Sequence, residues 1–372
     1  MKILLVGAGG YAAIYVKALL GNKDPEVQWV GIADPYYNVC ALKEQIDAAK
    51  IPVYNTMEEF YSENTADLAI ICTPTYLHCE QSICALSHGS YVLCEKPVAP
   101  TMESVEKMLA AEKQYGKFIA IGYQWSYSEA ILALKRDILD GKLGKPLRFK
   151  TAISWPRNRA YYERGSGWGG RISKNGILLL DSIASNACAH YLHNMLFVLG
   201  DTMETAARAK LVAADCLQAN DIENFDTCAL RLTTKDNVSL YYIASHATEK
   251  KKNPEFVYAF ENATVTFSQD EGSEIIATFR DGTTKNYGNP FASDTKKLWD
   301  SIAAAKSGNP PICTVRTAME HTRLIETLYR EVPIKRFPEE EIAIKEGTDY
   351  TYVKGLYERL YKAYEAEKLL SE

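Results

Sequence analysis

The chain of 372 residues carries 42 Lys and Arg against 47 Asp and Glu, for a net charge of −5, with 47% hydrophobic and 24% charged residues. That length supports two domains and a large core, and the charge balance offers no basic field for nucleic acid or an anionic membrane surface. No apolar stretch approaches a membrane span, and the nine cysteines contain no CxxC pair, which fits free thiols in a reducing cytoplasm better than a disulfide framework.

Within the strand predicted at 2–6, residues 3–6 form a continuous apolar run, as expected of a central parallel strand covered on both faces. A first strand this early speaks against a cleavable signal peptide. The run leads into Gly7-Ala8-Gly9-Gly10-Tyr11-Ala12. In such a turn Gly7 permits the tight bend, Gly9 lets the backbone approach a pyrophosphate, and Ala12 allows close helix packing. The helix predicted over 11–20 then points its N-terminal N–H groups at the anion. A second strand, 27–33, ends in Asp34, where a carboxylate would accept hydrogen bonds from adenosine ribose hydroxyls. Pro35, Tyr36 and Tyr37 follow, with no cation for a 2′-phosphate, so NAD is expected over NADP.

Further strands are predicted at 68–72, 90–94 and 117–122, and helices at 37–48, 78–88 and 102–115. This alternation implies α/β architecture with a doubly wound parallel sheet, assigned to residues 1–122 as a dinucleotide-binding domain. Beyond it lie a helix at 127–139, a strand at 147–154, an irregular stretch at 155–175 and a helix at 182–199. Strands follow at 205–213, 225–233, 238–246, 256–260, 263–268 and 275–279, then helices at 292–306, 315–330 and 349–369. Residues 123–372 therefore read as an α+β domain with an open, mostly antiparallel sheet, serving substrate binding and oligomerisation.

Two blocks sit at the C-terminal ends of predicted strands, the edge where open α/β sheets bind ligands. They are Cys72-Thr73-Pro74-Thr75-Tyr76-Leu77-His78 and Leu93-Cys94-Glu95-Lys96-Pro97. Lys96 places a cation there that can hydrogen-bond a hydroxyl and stabilise alkoxide character. A tight X–Pro turn at such an edge favours a cis Lys96–Pro97 bond.

The glycine turn, Asp34, Thr73-Pro74 with His78, Glu95-Lys96-Pro97 and Gly122-Tyr123-Gln124 together resemble the Gfo/Idh/MocA family, the relatives of glucose–fructose oxidoreductase and inositol dehydrogenase. The resemblance implies an N-terminal Rossmann domain and hydride transfer between nicotinamide and a carbinol of a sugar, polyol or derivative. It implies cofactor contacts at Gly7, Gly9, Gly10, Tyr11, Ala12, Asp34, Thr73, Pro74, His78, Glu95, Lys96 and Gln124. It also implies a catalytic helix, here the one carrying Asn186, His190 and His193, where the family's usual Asp is Asn186 and a second common Asp is His193. Spacing of i, i+4, i+7 predicts that the three share one helix face.

On this reading Lys96 polarises the reacting oxygen, His190 is the base and Asn186 orients it; imidazole titrates in the range that suits such a role. Residues 155–171 are rich in aromatic and guanidinium groups. Tyr162, Trp168 and Arg171, with His193, are assigned to the sugar site, although Tyr, Trp and Arg equally mark subunit contacts. No metal is expected, because the histidines find no third ligand except Asp181, which more simply caps the helix. The expected partners are a small sugar or polyol and a second copy of the chain, in a homodimer or homotetramer through the C-terminal sheet. The rivals are an NAD-dependent glycosidase working by transient oxidation and elimination, and a non-enzymatic dinucleotide-binding regulator.

Overall fold

The computed structural model describes residues 1–165 and 167–372. The chain forms two compact units, Met1–Tyr127 with Ser293–Met319, and Ser128–Ala292 with Glu320–Glu372.

The first unit is built on a six-stranded parallel sheet of β1 (Lys2–Val6), β2 (Gln28–Ala33), β3 (Val53–Tyr54), β4 (Leu68–Ile71), β5 (Tyr91–Cys94) and β6 (Ile119–Ile121). Their order is β3-β2-β1-β4-β5-β6, the doubly wound arrangement whose strand order reverses beside β1 and puts ligands at the carboxyl ends of the strands. The central strands are apolar because helices cover both faces, and Ile3, Leu4, Leu5, Leu68, Ala69, Ile70 and Ile71 are fully buried. The helix expected at 102–115 spans Met102–Tyr115, started by the Thr101 hydroxyl on the Ser104 N–H and stopped by Gly116 at φ 65°.

The two-residue β3 and the helix Met57–Glu63, which Thr56 caps, have no counterpart in the sequence reading. A larger departure is the return of residues 293–319. Helix Lys296–Ser307 belongs to this unit, and behind it the Ile121 N–H donates to the Cys313 carbonyl at 2.8 Å. A linear division at 122/123 leaves this return out.

The second unit holds a nine-stranded sheet and two small hairpins. After β7 (Pro146–Ser154) come β8 (Ser173–Lys174) and β9 (Ile177–Leu178), which pair only with each other. The large sheet continues with β10 (Ala209–Gln218), β11 (Thr227–Thr234), β12 (Ser239–Ser245), β13 (Lys252–Phe260), β14 (Ala263–Ser268), β15 (Ile275–Phe279), β16 (Thr284–Gly288) and β17 (Ile334–Arg336). The order is β16-β15-β14-β13-β7-β12-β11-β10-β17. All pairs are antiparallel except β7–β12 and β10–β17, so the expected mostly antiparallel sheet is present. Strand pleating turns Tyr241 and Tyr242 to opposite faces. The Tyr241 hydroxyl reaches the Lys368 carbonyl beyond the C-terminal helix, and that of Tyr242 reaches the Cys188 carbonyl.

Residues expected as a helix from 349 instead begin with β19 (Thr351–Val353), paired to β18 (Ile342–Ile344), and the helix runs only over Leu356–Ala366. The helix expected at 182–199 is also not one α-helix. Ile183–Ala187 is a π-helical turn entered through a reciprocal Ser182/Ser185 capping box, Cys188 leaves helical geometry, and the α-helix is Ala189–Val198. Among the described residues no helix is long and apolar enough to cross a membrane.

Candidate functional site

The turn after β1 has the geometry that its glycines imply. Gly7 sits at φ 82°, and a Cβ there would lie 2.8 Å from the Cys72 carbonyl oxygen; only glycine fits. Gly9 has ordinary extended backbone and nothing within 4 Å of where its Cβ would be, so its bare surface is open. Gly10 follows at φ 57°, and Ala12, fully buried, closes the first turn by donating its N–H to the Gly9 carbonyl. Asp34 lies beside this turn: Oδ2 accepts the Ala8 N–H and Oδ1 the Tyr36 N–H, each at 2.8 Å. A carboxylate has about four acceptor positions, so capacity remains for ribose hydroxyls.

At the ends of β4 and β5 the structure separates two kinds of motif residue. Lys96 precedes a cis peptide bond to Pro97, as expected. His78, by contrast, is 1% exposed, with Nδ1 2.8 Å from the Pro97 carbonyl and Nε2 2.9 Å from that of Thr73. Its ring thus braces the two edge loops, and burial holds its pKa below the ordinary imidazole range. The Thr73 hydroxyl is likewise engaged, on Gln81, and Pro74 precedes the short helix Thr75–Leu77.

Glu95 is also an internal brace. It accepts from the Tyr15 hydroxyl at 2.5 Å and the Lys96 N–H at 3.1 Å, and it forms an ion pair with Lys297. A Cβ on Gly122 would lie 2.8 Å from the Glu95 carboxylate, so glycine there admits the close approach. Tyr11, 43% exposed, donates its hydroxyl to Gln124 at 3.1 Å. Lys297 was missed by the sequence reading. The available signal was its place on the buried face of an amphipathic helix, in register with Ser301 and Ala304.

In the second unit the three helix residues divide. The Asn186 amide donates to Asp181 Oδ1 at 2.8 Å. The π-turn and Cys188 interrupt the α-helix between residues 186 and 190, so the regular α-helical spacing assumed for 186, 190 and 193 does not run unbroken there. Asp181 is not the cap; Ser182 is, while Asp181 also accepts the Gly170 N–H at 2.7 Å. His190 is half-buried at the start of the α-helix, edge-on to Tyr191.

His193 is 1% exposed and stacks on Phe197. Burial, with His321 and Lys135 nearby, holds its pKa well below the ordinary value. It is a neutral core residue with no surface to offer a substrate. His321, also fully buried, sits 3.0 Å from the Ala184 carbonyl on the π-turn.

The aromatic loop is internally stacked. Tyr162 is 8% exposed and lies edge-on to Tyr161 and His246. The Arg164 guanidinium lies 3.9 Å from the Tyr161 ring centroid and 4.3 Å from that of Trp168. Exposed Arg171 pairs with Glu223 at 3.0 Å. His246 keeps its pKa near 3 through burial and the nearby Arg157. Among the described residues no group of three or more His, Cys, Asp or Glu is arranged to hold a metal ion.

Residues 1–123 match the model of an oxidoreductase family with an NAD-binding Rossmann fold. The 2,7-anhydro-N-acetylneuraminate hydratase of Mediterraneibacter gnavus is 30% identical over 166 residues, 40% of this chain and 43% of that protein. The inositol 2-dehydrogenase of Klebsiella pneumoniae is 32% identical over 153 residues, 41% and 45% of the respective chains. The chain thus spans less than half the length of these curated relatives. The WlbA dehydrogenase of Chromobacterium violaceum, solved with NADH and UDP-GlcNAcA, superposes with a TM-score of 0.74 over 89% of this chain and 93% of that one, at 20% identity. That similarity extends the shared fold through both units. Over its first 123 residues the chain is similar to the Gfo/Idh/MocA oxidoreductases with an NAD-binding Rossmann fold.

Proposed function

We propose that the protein is an NAD-dependent oxidoreductase acting on a carbinol carbon of a sugar, polyol or sugar derivative. The observation that carries this reading is the Ala8–Asp34 hydrogen bond beside the bare Gly9. It sets a ribose acceptor and an uncovered backbone for a pyrophosphate on one turn, as a dinucleotide needs. When bound, the nicotinamide supplies the hydride acceptor or donor. Gly9, Gly10, Ala12 and Asp34 would hold the dinucleotide. Lys96 donates a hydrogen bond to the reacting oxygen and favours its alkoxide character, and His190 accepts the hydroxyl proton. The half-buried Trp168 offers an aromatic face for sugar C–H groups. Direct fluorescence titration with NADH, followed by NADH formation across polyols, inositols and uronates, tests the reading. Absence of NADH binding would overturn it.

The hydratase relative favours a second reading, a redox-neutral reaction on the same substrate class. Product release with bound cofactor but no net NADH would select it. We further assign assembly into a homodimer or homotetramer through the nine-stranded sheet, where Leu147 and Val212 are 47% and 62% exposed; light scattering measures this. The nine free cysteines support a reducing cytoplasm as its location.

A further inference from the structure

Lys297 is fully buried, and an ammonium has three N–H donors. All three are used within the first unit. One goes to the Glu95 carboxylate, one to the Tyr11 hydroxyl at 3.1 Å and one to the Gly122 carbonyl at 3.2 Å. The ammonium also lies 4.5 Å from the Tyr11 ring centroid. These acceptors stand on three separate segments at the carboxyl edge of the sheet. Tyr11 follows β1, Glu95 follows β5 and Gly122 follows β6. Glu95 passes the restraint on, because its other oxygen takes the Lys96 N–H. Tyr11 passes it to Gln124.

We propose that Lys297 is a positioning residue for the cofactor site: a single buried cation from a distant helix holds the loops after β1, β5 and β6 in the arrangement that receives the dinucleotide and presents Lys96. This rests on the cofactor reading above. A buried charge stripped of its partner is strongly unfavourable, so the role is electrostatic and has a signature that mere space-filling lacks. In Lys297→Met the Glu95 carboxylate keeps its burial and loses its cation, and a proton replaces it at low pH.

The groups facing Glu95 do not titrate between pH 6 and 8.5 in a way that would mimic this. Tyr11, Tyr15, Tyr123, Tyr127, Cys72 and Cys94 are pushed upward, chiefly by burial, and His78 is held low.

The test is NADH titration of the full chain between pH 6 and 8.5 for wild type, Lys297→Met, Tyr11→Phe and the double variant Glu95→Gln/Lys297→Met, with melting temperatures alongside. The expected result is a Kd for Lys297→Met raised by ~10-fold or more at pH 8 and rising with pH. The double variant should lose the pH trend, and Tyr11→Phe should weaken binding ~3-fold by losing one anchor. Should Lys297→Met not fold, the double variant, which buries no charge, and Tyr11→Phe carry the test, both binding more weakly than wild type without a pH trend. Wild-type affinity in Lys297→Met, a pH trend persisting in the double variant, or wild-type affinity in both Tyr11→Phe and the double variant would overturn the proposal alone. A wild type that binds no NADH would overturn the cofactor reading and the proposal together.

Discussion

The side chain of Asn186 donates to Asp181 across 2.8 Å, so the residue that stands in place of the family's usual Asp already has a carboxylate for a neighbour. Asn186→Asp would set two carboxylates against each other, with Asp181 only 7% exposed. One of them then keeps its proton to a higher pH in the folded chain than in the unfolded chain, where Asp titrates near 3.9. The variant should match wild-type stability below about pH 4 and lose roughly 1–3 kcal/mol as pH rises to 8. Denaturant unfolding at the two pH values measures this, and equal losses at both would reject it.

Gly7 and Gly9 should fail differently. Gly7→Ala forces a side chain into φ 82° and a 2.8 Å approach to the Cys72 carbonyl, so it should destabilise the fold by roughly 1–3 kcal/mol. Gly9→Ala meets nothing in the protein. It should leave the melting temperature unchanged and weaken NADH binding by ~10-fold or more, because the added methyl occupies the pyrophosphate approach. Unchanged NADH affinity in Gly9→Ala would remove that surface from the cofactor site.

Asp34 should set cofactor choice. A 2′-phosphate would meet its carboxylate with no cation in Pro35, Tyr36 or Tyr37, so NADH should bind at least ~10-fold more tightly than NADPH. Parallel titrations decide it, and equal or tighter NADPH binding would refute the assignment.

Lys96→Ala should lower kcat by ~100-fold or more on an identified substrate, the scale of one lost electrostatic stabiliser, with a far smaller change in NADH affinity. Near-normal turnover would exclude Lys96 from the chemistry.

His246 stays neutral in the fold to about pH 3. An unfolded-chain histidine takes its proton near 6.5. Its folded value is depressed, so its contribution is intact above pH 6.5 and is lost as pH falls toward 3, by about 1.4 kcal/mol per pH unit. His246→Gln should therefore reduce the slope of unfolding free energy against pH, measured between pH 6 and 4, by about one proton. An unchanged slope would contradict a buried neutral His246.

What could be read from the sequence was local. The apolar run of β1, the turn chemistry of Gly7 and Gly9 and the capped helix Met102–Tyr115 each carry their signal within a few residues. β3 has too few residues to show a period. The segment Ile183–Ala187 looked helical because it is, but its backbone runs as a wider π-turn behind the Ser182/Ser185 capping box, and periodicity cannot register that change. His78 and Glu95 were recognised as motif residues, yet their partners are backbone carbonyls, a tyrosine and a lysine outside the motif. His193 has the pattern of a site residue and the burial of a core one.

The return of residues 293–319 to the first unit has a consequence for biosynthesis. A growing chain emerges from the ribosome N-terminus first, and Glu95 appears 202 residues before Lys297. At about 5–20 residues per second that interval is roughly 10–40 s. For that time the nascent sheet lacks the ammonium that neutralises Glu95 and the Cys313 carbonyl that accepts from β6. The nucleotide-binding half, although encoded first, is completed only after nearly all of the second unit's sheet has been translated.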